Sequence, residues 1–210
     1  MPRGSPELTE KRKNEILDAC EKIYGTQGFY GVNIKEISKE ISLTRPAIYN
    51  YFETKEEILL GLLIREYADW CDRIEKLIEP AREFNRSELS AQLADTLRDK
   101  ATLLRILNMN LFEIEQNSRV ERLAEFKIQF QRSRAALSEI LRAYRADMDG
   151  AECGEFCEIF SAFLIGVFPF TAHTEKQREA MRMADVSIAE PSIYEMVYAC
   201  LLKLLPEEKC

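Results

Sequence analysis

Residues 44–57 read TRPAIYNYFETKEE, and this stretch decides the fold of the first part of the chain. Thr44 is a suitable N-cap, and Pro46 follows in the first turn, where its missing N–H would have no helical partner. Thr54 and Glu57 have the spacing of a capping box, which marks a second helix start. The pattern predicts a short helix over residues 45–52 and a longer one that begins at Lys55.

A second short helix precedes this stretch. Asn33 and Glu36 have capping-box spacing and predict a helix from Ile34 to about Ile41. An earlier apolar periodicity over residues 16–24 predicts a first helix that Gly25 ends. The second and third helices are joined by about three residues, 42–44, which is typical of a helix-turn-helix unit.

The two sides of helix 45–52 differ in character. Ile48 and Phe52 lie four residues apart and are expected to face inward, which leaves polar and small side chains outward. The second helix of such a unit enters the major groove, where Arg can bond guanine and Tyr or Lys can bond phosphate. The residues predicted to contact DNA are Asn33, Thr44, Arg45, Pro46, Ala47, Tyr49, Asn50, Tyr51 and Lys55.

These motifs resemble the DNA-binding segment of TetR-type (TetR/AcrR) transcriptional repressors. The matching elements are Gly28-Phe29, Asn33-Ile34-Lys35-Glu36-Ile37, Ile48-Tyr49-Asn50-Tyr51-Phe52 and Lys55-Glu56-Glu57-Ile58. The resemblance is strong over about 50 residues, and beyond them only the length and the helical pattern agree. Pro46 stands where the family often has glycine, so operator preference does not carry over from relatives.

The rest of the chain also has helical periodicity, and the sequence predicts an all-α protein. We expect a helix-turn-helix domain over residues 1–54 and a larger helical domain over 55–210, connected by helix 55–79. Capping boxes at Asp149/Glu152 and Ser192/Glu195 predict two strongly apolar helices near the carboxyl end. Leu103 to Ile114 reads as one helix, and a weaker helix is expected around Lys176–Met183.

The charge distribution and the cysteine content limit the functions that the chain can have. The net charge is −7, but residues 1–60 hold nine basic and ten acidic side chains, so the acidity lies mostly outside the predicted DNA-binding domain. A basic cluster of Arg3, Lys11, Arg12 and Lys13 stands near the amino end. No apolar run was expected to approach membrane-spanning length, which indicates a cytoplasmic protein without a membrane partner. The six cysteines are read as thiols.

The resemblance implies a homodimer, an operator of double-stranded DNA and an unknown small-molecule effector. The last two large helices would form the interface, through Phe156, Phe160, Leu164, Val167, Ile193, Val197, Cys200, Leu201 and Leu204. The candidate effector-binding residues are Trp70, Asn108, Met109, Phe112, Phe126, Phe130 and Phe163. Asn108 and Asn110 are polar groups in an apolar helix, where they meet either a ligand or a neighbouring helix.

Two alternatives remain at this point. Cys153 and Cys157 lie four residues apart, so a thiol-based redox or metal sensor is conceivable, although His173 is the only histidine. A helical adaptor that does not bind DNA is the other. The sequence lacks a glycine-rich phosphate loop or a nucleophile–base motif, so no enzyme activity, catalytic residue, cofactor or metal site is predicted.

Overall fold

The computed structural model describes residues 5–78, 84–187 and 189–207, and these are helical almost throughout, with no strand among them. Arg3 of the basic cluster, the last residue of the predicted helix 55–79 and the cysteine at position 210 lie outside the described residues. The helices are α1 Pro6–Gly31, α2 Ile34–Glu40, α3 Arg45–Ile48, α4 Lys55–Ile78, α5 Arg86–Thr96, α6 Ala101–Met109, α7 Leu111–Gln116, α8 Val120–Tyr144, α9 Gly150–Thr171, α10 Glu175–Met183 and α11 Ile193–Leu204. The all-α prediction is confirmed.

Helix α1 is longer than predicted. Gly25 does not end it; the helix runs on, and its backbone leaves helical geometry at Gly28, where φ is 69°. A glycine inside a helix costs only about 1 kcal/mol relative to alanine, so Gly25 is tolerated. A positive φ is strained for other residues, which explains glycine at position 28.

Two predicted helix boundaries also change. The predicted helix around Leu103–Ile114 is divided in two, because Asn110 has a non-helical backbone between α6 and α7. The helix that begins at Gly150 passes through Pro169 and ends at Thr171, two residues later than expected. The capping boxes at Asp149/Glu152 and Ser192/Glu195 are present, with both reciprocal hydrogen bonds in each.

The described residues divide into two compact units. The first holds the residues up to Tyr67 together with Met109–Gln129, and the second holds Ala68–Asn108 and the residues from Phe130 onward. In the first unit α1 packs against α2, and α2 against α3; in the second α11 packs against α5 and α9. This division differs from the boundary expected after residue 54, which stays a prediction.

Candidate nucleic-acid interface

The recognition segment, residues 44–52, begins as a short helix and ends as a tight turn. The Thr44 hydroxyl accepts a hydrogen bond from the Ala47 amide at 3.4 Å and so caps α3. After Ile48 the backbone tightens: the amide of Tyr51 donates to the Ile48 carbonyl at 2.9 Å, a three-residue step. The helix predicted to extend to Phe52 is therefore regular only over Arg45–Ile48.

The recognition segment has a buried side and an exposed side. Ile48 is completely buried and Phe52 is 2% exposed, as the sequence predicted. Arg45, Pro46 and Asn50 are exposed, and Tyr49 is exposed over 55% of its surface. The apolar side therefore anchors the segment in the first unit, and the polar side is exposed.

Two of the residues predicted to contact DNA are engaged within the first unit. The Asn33 side chain accepts from the Glu36 amide at 3.0 Å and donates to the Gly31 carbonyl at 3.1 Å. Thr44 caps α3, although it remains exposed. Both residues fix the starts of the two helices, and this role is independent of any contact with DNA.

Lys55, at the first residue of α4, lies against aromatic rings. Its ammonium is 4.0 Å from the centre of the Phe29 ring and 5.9 Å from that of Tyr30. Tyr30 is 92% exposed and was not singled out from the sequence, because nothing in its spacing distinguishes it from an ordinary loop residue. The ammonium group is thus held beside an exposed tyrosine at a helix start, and it also lies 3.9 Å from the Glu56 carboxylate.

Of the two carboxylates of α2, that of Glu36 is paired within the helix. Lys39 donates hydrogen bonds to both Glu36 oxygens at 2.8 Å. This bond, with the charges of Lys39, Lys35 and Arg45, lowers the pKa of Glu36 below its ordinary value. Over α2 and α3 three basic side chains, Lys35, Lys39 and Arg45, stand against two carboxylates, Glu36 and Glu40, a balance of +1.

The proposed effector residues are divided between the units. Met109, Phe112 and Phe126 belong to the first, and Trp70, Asn108, Phe130 and Phe163 to the second. Trp70 and Phe126 are buried; the Trp70 indole donates to the Thr96 hydroxyl at 3.0 Å, and Phe126 contacts Tyr67 edge-on at 5.6 Å. Phe130 is half-buried.

The two side chains expected to line an enclosed pocket from α6 and α7 are exposed. Phe112 is exposed over 79% of its surface, and Met109 over 59%. The asparagines have protein partners: Asn108 donates to the Ile165 carbonyl at 2.9 Å, and Asn110 accepts from the Tyr24 hydroxyl at 2.8 Å. Hydrogen bonding between helices therefore accounts for both amides without a ligand.

The predicted dimer residues differ in their burial within the single chain, and their place in an interface stays a prediction. Seven of them are buried within the single chain: Phe156, Phe160, Leu164, Val167, Ile193, Val197 and Leu201. A side chain already buried in its own chain has no surface left to bury against a partner. Cys200 and Leu204 are only half-buried, and they line an open apolar groove with Ile159, Phe163, Met196, Ala199 and Lys203.

Helix α9 contributes the most apolar part of this groove. By length and composition alone it is apolar enough to cross a membrane, with a mean hydropathy of 1.5, so the expectation of no such run was wrong. One side of the helix is buried in the second unit, while Ile159, Ile165 and Phe170 are exposed on it. An exposed apolar side chain in a groove, as Ile159 is, is typical of a contact with another molecule.

The cysteines do not have the surroundings of reactive thiols. Cys153 and Cys157 are buried, and the Cys157 sulfur lies 3.7 Å from both the Ser138 hydroxyl and the Arg134 carbonyl. Burial raises the pKa of Cys157, and it raises that of Cys20 to about 12 and that of Cys71 to about 11. Such thiols stay protonated and are poor nucleophiles. In the described part of the chain, no three potential ligands cluster as a metal site would require.

Comparison with protein families identifies the class. A model described as "Bacterial regulatory proteins, tetR family" matches residues 16–62, and one described as "Tetracyclin repressor-like, C-terminal domain" matches residues 64–204. Together they cover both the helix-turn-helix and most of the remaining chain. The chain belongs to the TetR family of transcriptional regulators, and its helix-turn-helix is the DNA-binding part.

The individual relatives have low sequence identity to this chain and match only part of it. The transcriptional regulator HbdR of Aromatoleum is 32% identical over 74 residues, which are 35% of this chain and 32% of HbdR. The fatty acid metabolism regulator protein of Bacillus subtilis is 23% identical over 136 residues, or 65% of this chain and 63% of that protein. The matches thus span about a third to somewhat under two thirds of these relatives.

A solved structure has the same fold over nearly the whole chain. It is the transcriptional regulator FadR from Bacillus subtilis in complex with stearoyl-CoA, with a TM-score of 0.56 and 16% identity. The similarity covers 93% of this chain and 99% of that one. At this identity the likeness establishes the shared fold.

Proposed function

We propose that the protein is a homodimeric repressor that reads a palindromic operator with its recognition segment and acts in the cytoplasm. The observation that carries the proposal is the sidedness of this segment, with Ile48 and Phe52 buried and Arg45, Tyr49 and Asn50 exposed. Arg45 is proposed to bond a guanine edge or a phosphate, and Tyr49 to bond a phosphate. Pro46 and Ala47 are proposed to meet thymine methyl groups.

Several residues around the segment are proposed to position the DNA backbone. Lys55, at the start of α4, is proposed to hold a phosphate, and the exposed or half-buried Asn33, Thr44 and Tyr51 are proposed to contact the backbone as well. A twofold dimer presents two recognition segments and so accounts for a palindromic site.

The exposed groove on α9 and α11 is proposed as the dimer interface. Its lining side chains are apolar apart from Lys203, and the helix that supplies its apolar wall is unusually hydrophobic for a surface helix. Cys200 and Leu204 keep their proposed place in this interface, joined by Ile159, Phe163 and Met196.

A small-molecule effector is proposed to release the DNA. The relative described as a fatty acid metabolism regulator and the neighbour bound to stearoyl-CoA make a long-chain acyl-CoA the first compound to test. Native mass spectrometry of freshly purified protein reveals a bound molecule directly. Release of labelled DNA by stearoyl-CoA, but not by CoA alone, supports this ligand class, whereas continued DNA binding at saturating acyl-CoA contradicts it.

Operator binding is tested with DNA from the region upstream of the gene. Fluorescence anisotropy is measured for the wild type and for the double variant Arg45→Ala/Tyr49→Phe across a salt series. The proposal expects weaker binding and a shallower salt dependence for the variant, since it lacks two phosphate- or base-binding groups. Equal affinity and equal salt dependence of the two proteins would contradict it.

A further inference from the structure

Five residues after the recognition segment, a carboxylate of the first unit is buried. Glu57 is 1% exposed, yet Arg119, 62 residues later, donates to its two oxygens at 2.6 and 2.8 Å. The amides of Arg119 and Glu53 donate to the same carboxylate at 3.2 and 2.8 Å. Burial alone would raise the pKa of Glu57, but these hydrogen bonds outweigh it and hold the pKa below the ordinary value.

A second arginine holds the end of the recognition segment itself. The Arg122 guanidinium donates to the carbonyl oxygen of Tyr51 at 3.0 Å and lies 5.3 Å from the centre of the Phe52 ring. Nearby, the Thr54 hydroxyl donates to the Asn117 carbonyl at 3.1 Å. Residues 117–122 run from the end of α7 into the first turn of α8. They therefore make three contacts with residues 51–57, at Tyr51, Thr54 and Glu57.

These contacts fall where the recognition segment has the least internal support. Beyond Ile48 it is a turn rather than a regular helix, so its own backbone hydrogen bonds do not fix its direction as a longer helix would. The Tyr51 carbonyl directly precedes Phe52, whose side chain is buried in the core. Base readout depends on placing side chains to within about 0.5 Å, and groups that support such a site from behind share in its specificity.

We propose that Arg119 and Arg122 are positioning residues for DNA recognition, which lock the end of the recognition segment in the orientation that reads bases. The Arg119 guanidinium is occupied by Glu57 and Glu53, and that of Arg122 by the Tyr51 carbonyl and Glu125. Both arginines therefore act through the segment and not on a phosphate. The inference rests on DNA binding by the helix-turn-helix, and it does not depend on the identity of the effector or of the operator.

The test separates positioning from direct contact. DNA is selected from a random pool by the wild-type protein, and anisotropy then gives the affinity of each variant for this DNA and for scrambled DNA over a salt series. Arg122→Met keeps the length of the stem over Phe52 but loses the hydrogen bond and the charge. Arg122→Lys restores a donor.

Arg119→Ala is combined with Glu57→Gln so that no unpaired buried charge remains. Arg65→Ala is the matched control, because Arg65 also holds two ion pairs in the first unit, with Asp18 and Glu21.

For Arg122→Met we expect at least a tenfold loss of affinity for the selected DNA, with scrambled DNA bound within about twofold of wild type. The slope of log affinity against log salt is expected to be unchanged, since each lost phosphate contact would lower it by about 0.9. Arg122→Lys is expected to regain most of the loss, the Arg119→Ala/Glu57→Gln variant to resemble Arg122→Met, and Arg65→Ala to bind as wild type does.

Three results would overturn the inference: folded Arg122→Met with wild-type affinity, a slope reduced by about 0.9, or an equal loss in Arg65→Ala. Circular dichroism confirms folding of each variant. If Arg122→Met does not fold, wild-type affinity in the Arg119→Ala/Glu57→Gln variant alone overturns it. A wild-type protein that selects no DNA contradicts the proposed operator binding instead, so the two failures are distinguishable.

Discussion

The rings of Phe160 and Phe163 stack with their centres 6.3 Å apart and their planes 11° from parallel, yet they belong to different environments. Phe160 is buried in the core of the second unit, whereas Phe163 lies in the open groove of α9 and α11. The resemblance to TetR-type repressors implies that Phe160 lies at the dimer interface and Phe163 in the effector pocket. The structure places Phe160 in the core and Phe163 at the proposed interface.

This arrangement predicts which substitution separates the protomers. Ile159→Glu puts a charge into the proposed interface, and the side chain is already partly exposed, so the single chain is expected to stay folded. Sedimentation velocity is expected to show a monomer, with at least a tenfold loss of operator affinity because paired half-sites are no longer read together. Ile128→Glu, at another exposed isoleucine, is the control and should leave the dimer intact.

Arg45 is expected to contribute directly to DNA binding. Arg45→Ala should weaken operator binding by about tenfold or more, as expected for loss of about 1–3 kcal/mol from a bidentate contact with guanine. A contact with phosphate instead would reduce the salt slope by about 0.9. Competition with singly substituted operators distinguishes these contacts. Arg182→Ala, which removes ion pairs only within α10, should bind as wild type does.

Ile48 is expected to be the main anchor of the recognition segment. Ile48→Ala removes a fully buried side chain and leaves a cavity, which should lower the free energy of unfolding by about 2–5 kcal/mol. Urea denaturation followed by circular dichroism measures the change. Ile128→Ala, at a side chain that is largely exposed, should change it by less than about 0.5 kcal/mol. A similar loss in both variants would contradict the anchoring role.

The Glu57–Arg119 pair is expected to make stability depend on pH. The folded state lowers the pKa of Glu57, so its contribution to stability is complete above the unfolded value of about 4.3 and is lost as pH falls through the folded pKa. Urea denaturation of wild type and Glu57→Gln should therefore show a difference at pH 7 that shrinks at pH 3. Glu155→Gln, at an exposed carboxylate of α9, is the control and should change the free energy of unfolding at pH 7 by less than about 0.5 kcal/mol.

Oxidants are expected to leave DNA binding unchanged. Burial raises the pKa of the Cys157 and Cys200 thiols, so little thiolate forms near neutral pH. Operator affinity is measured before and after treatment with hydrogen peroxide, in a Cys210→Ser background that removes the cysteine outside the described residues. Release of DNA on oxidation, abolished by Cys157→Ser, would instead support the thiol-sensing alternative.

Much of the DNA-binding part was predictable because its signals are local. Capping residues and the four-residue spacing of Ile48 and Phe52 are written in neighbouring positions, and both the α2 cap and the burial of these two side chains are found in the structure. Local patterns predicted helix ends less well. The end of the recognition segment and the break at Asn110 depend on backbone geometry that neighbouring residue types do not specify.

The sequence by itself determined the all-α class, the helix-turn-helix and the family, because periodicity, caps and motif spacing are local and do not depend on how the helices pack. Only the tertiary structure decided which side of α9 and α11 is core, because both sides are apolar and the periodicity does not show which of them is buried. It alone brought Arg119 and Arg122 to Glu57 and Tyr51, 62 and 71 residues earlier. Contacts over such distances follow from how helices pack, and no local spacing in the sequence encodes them.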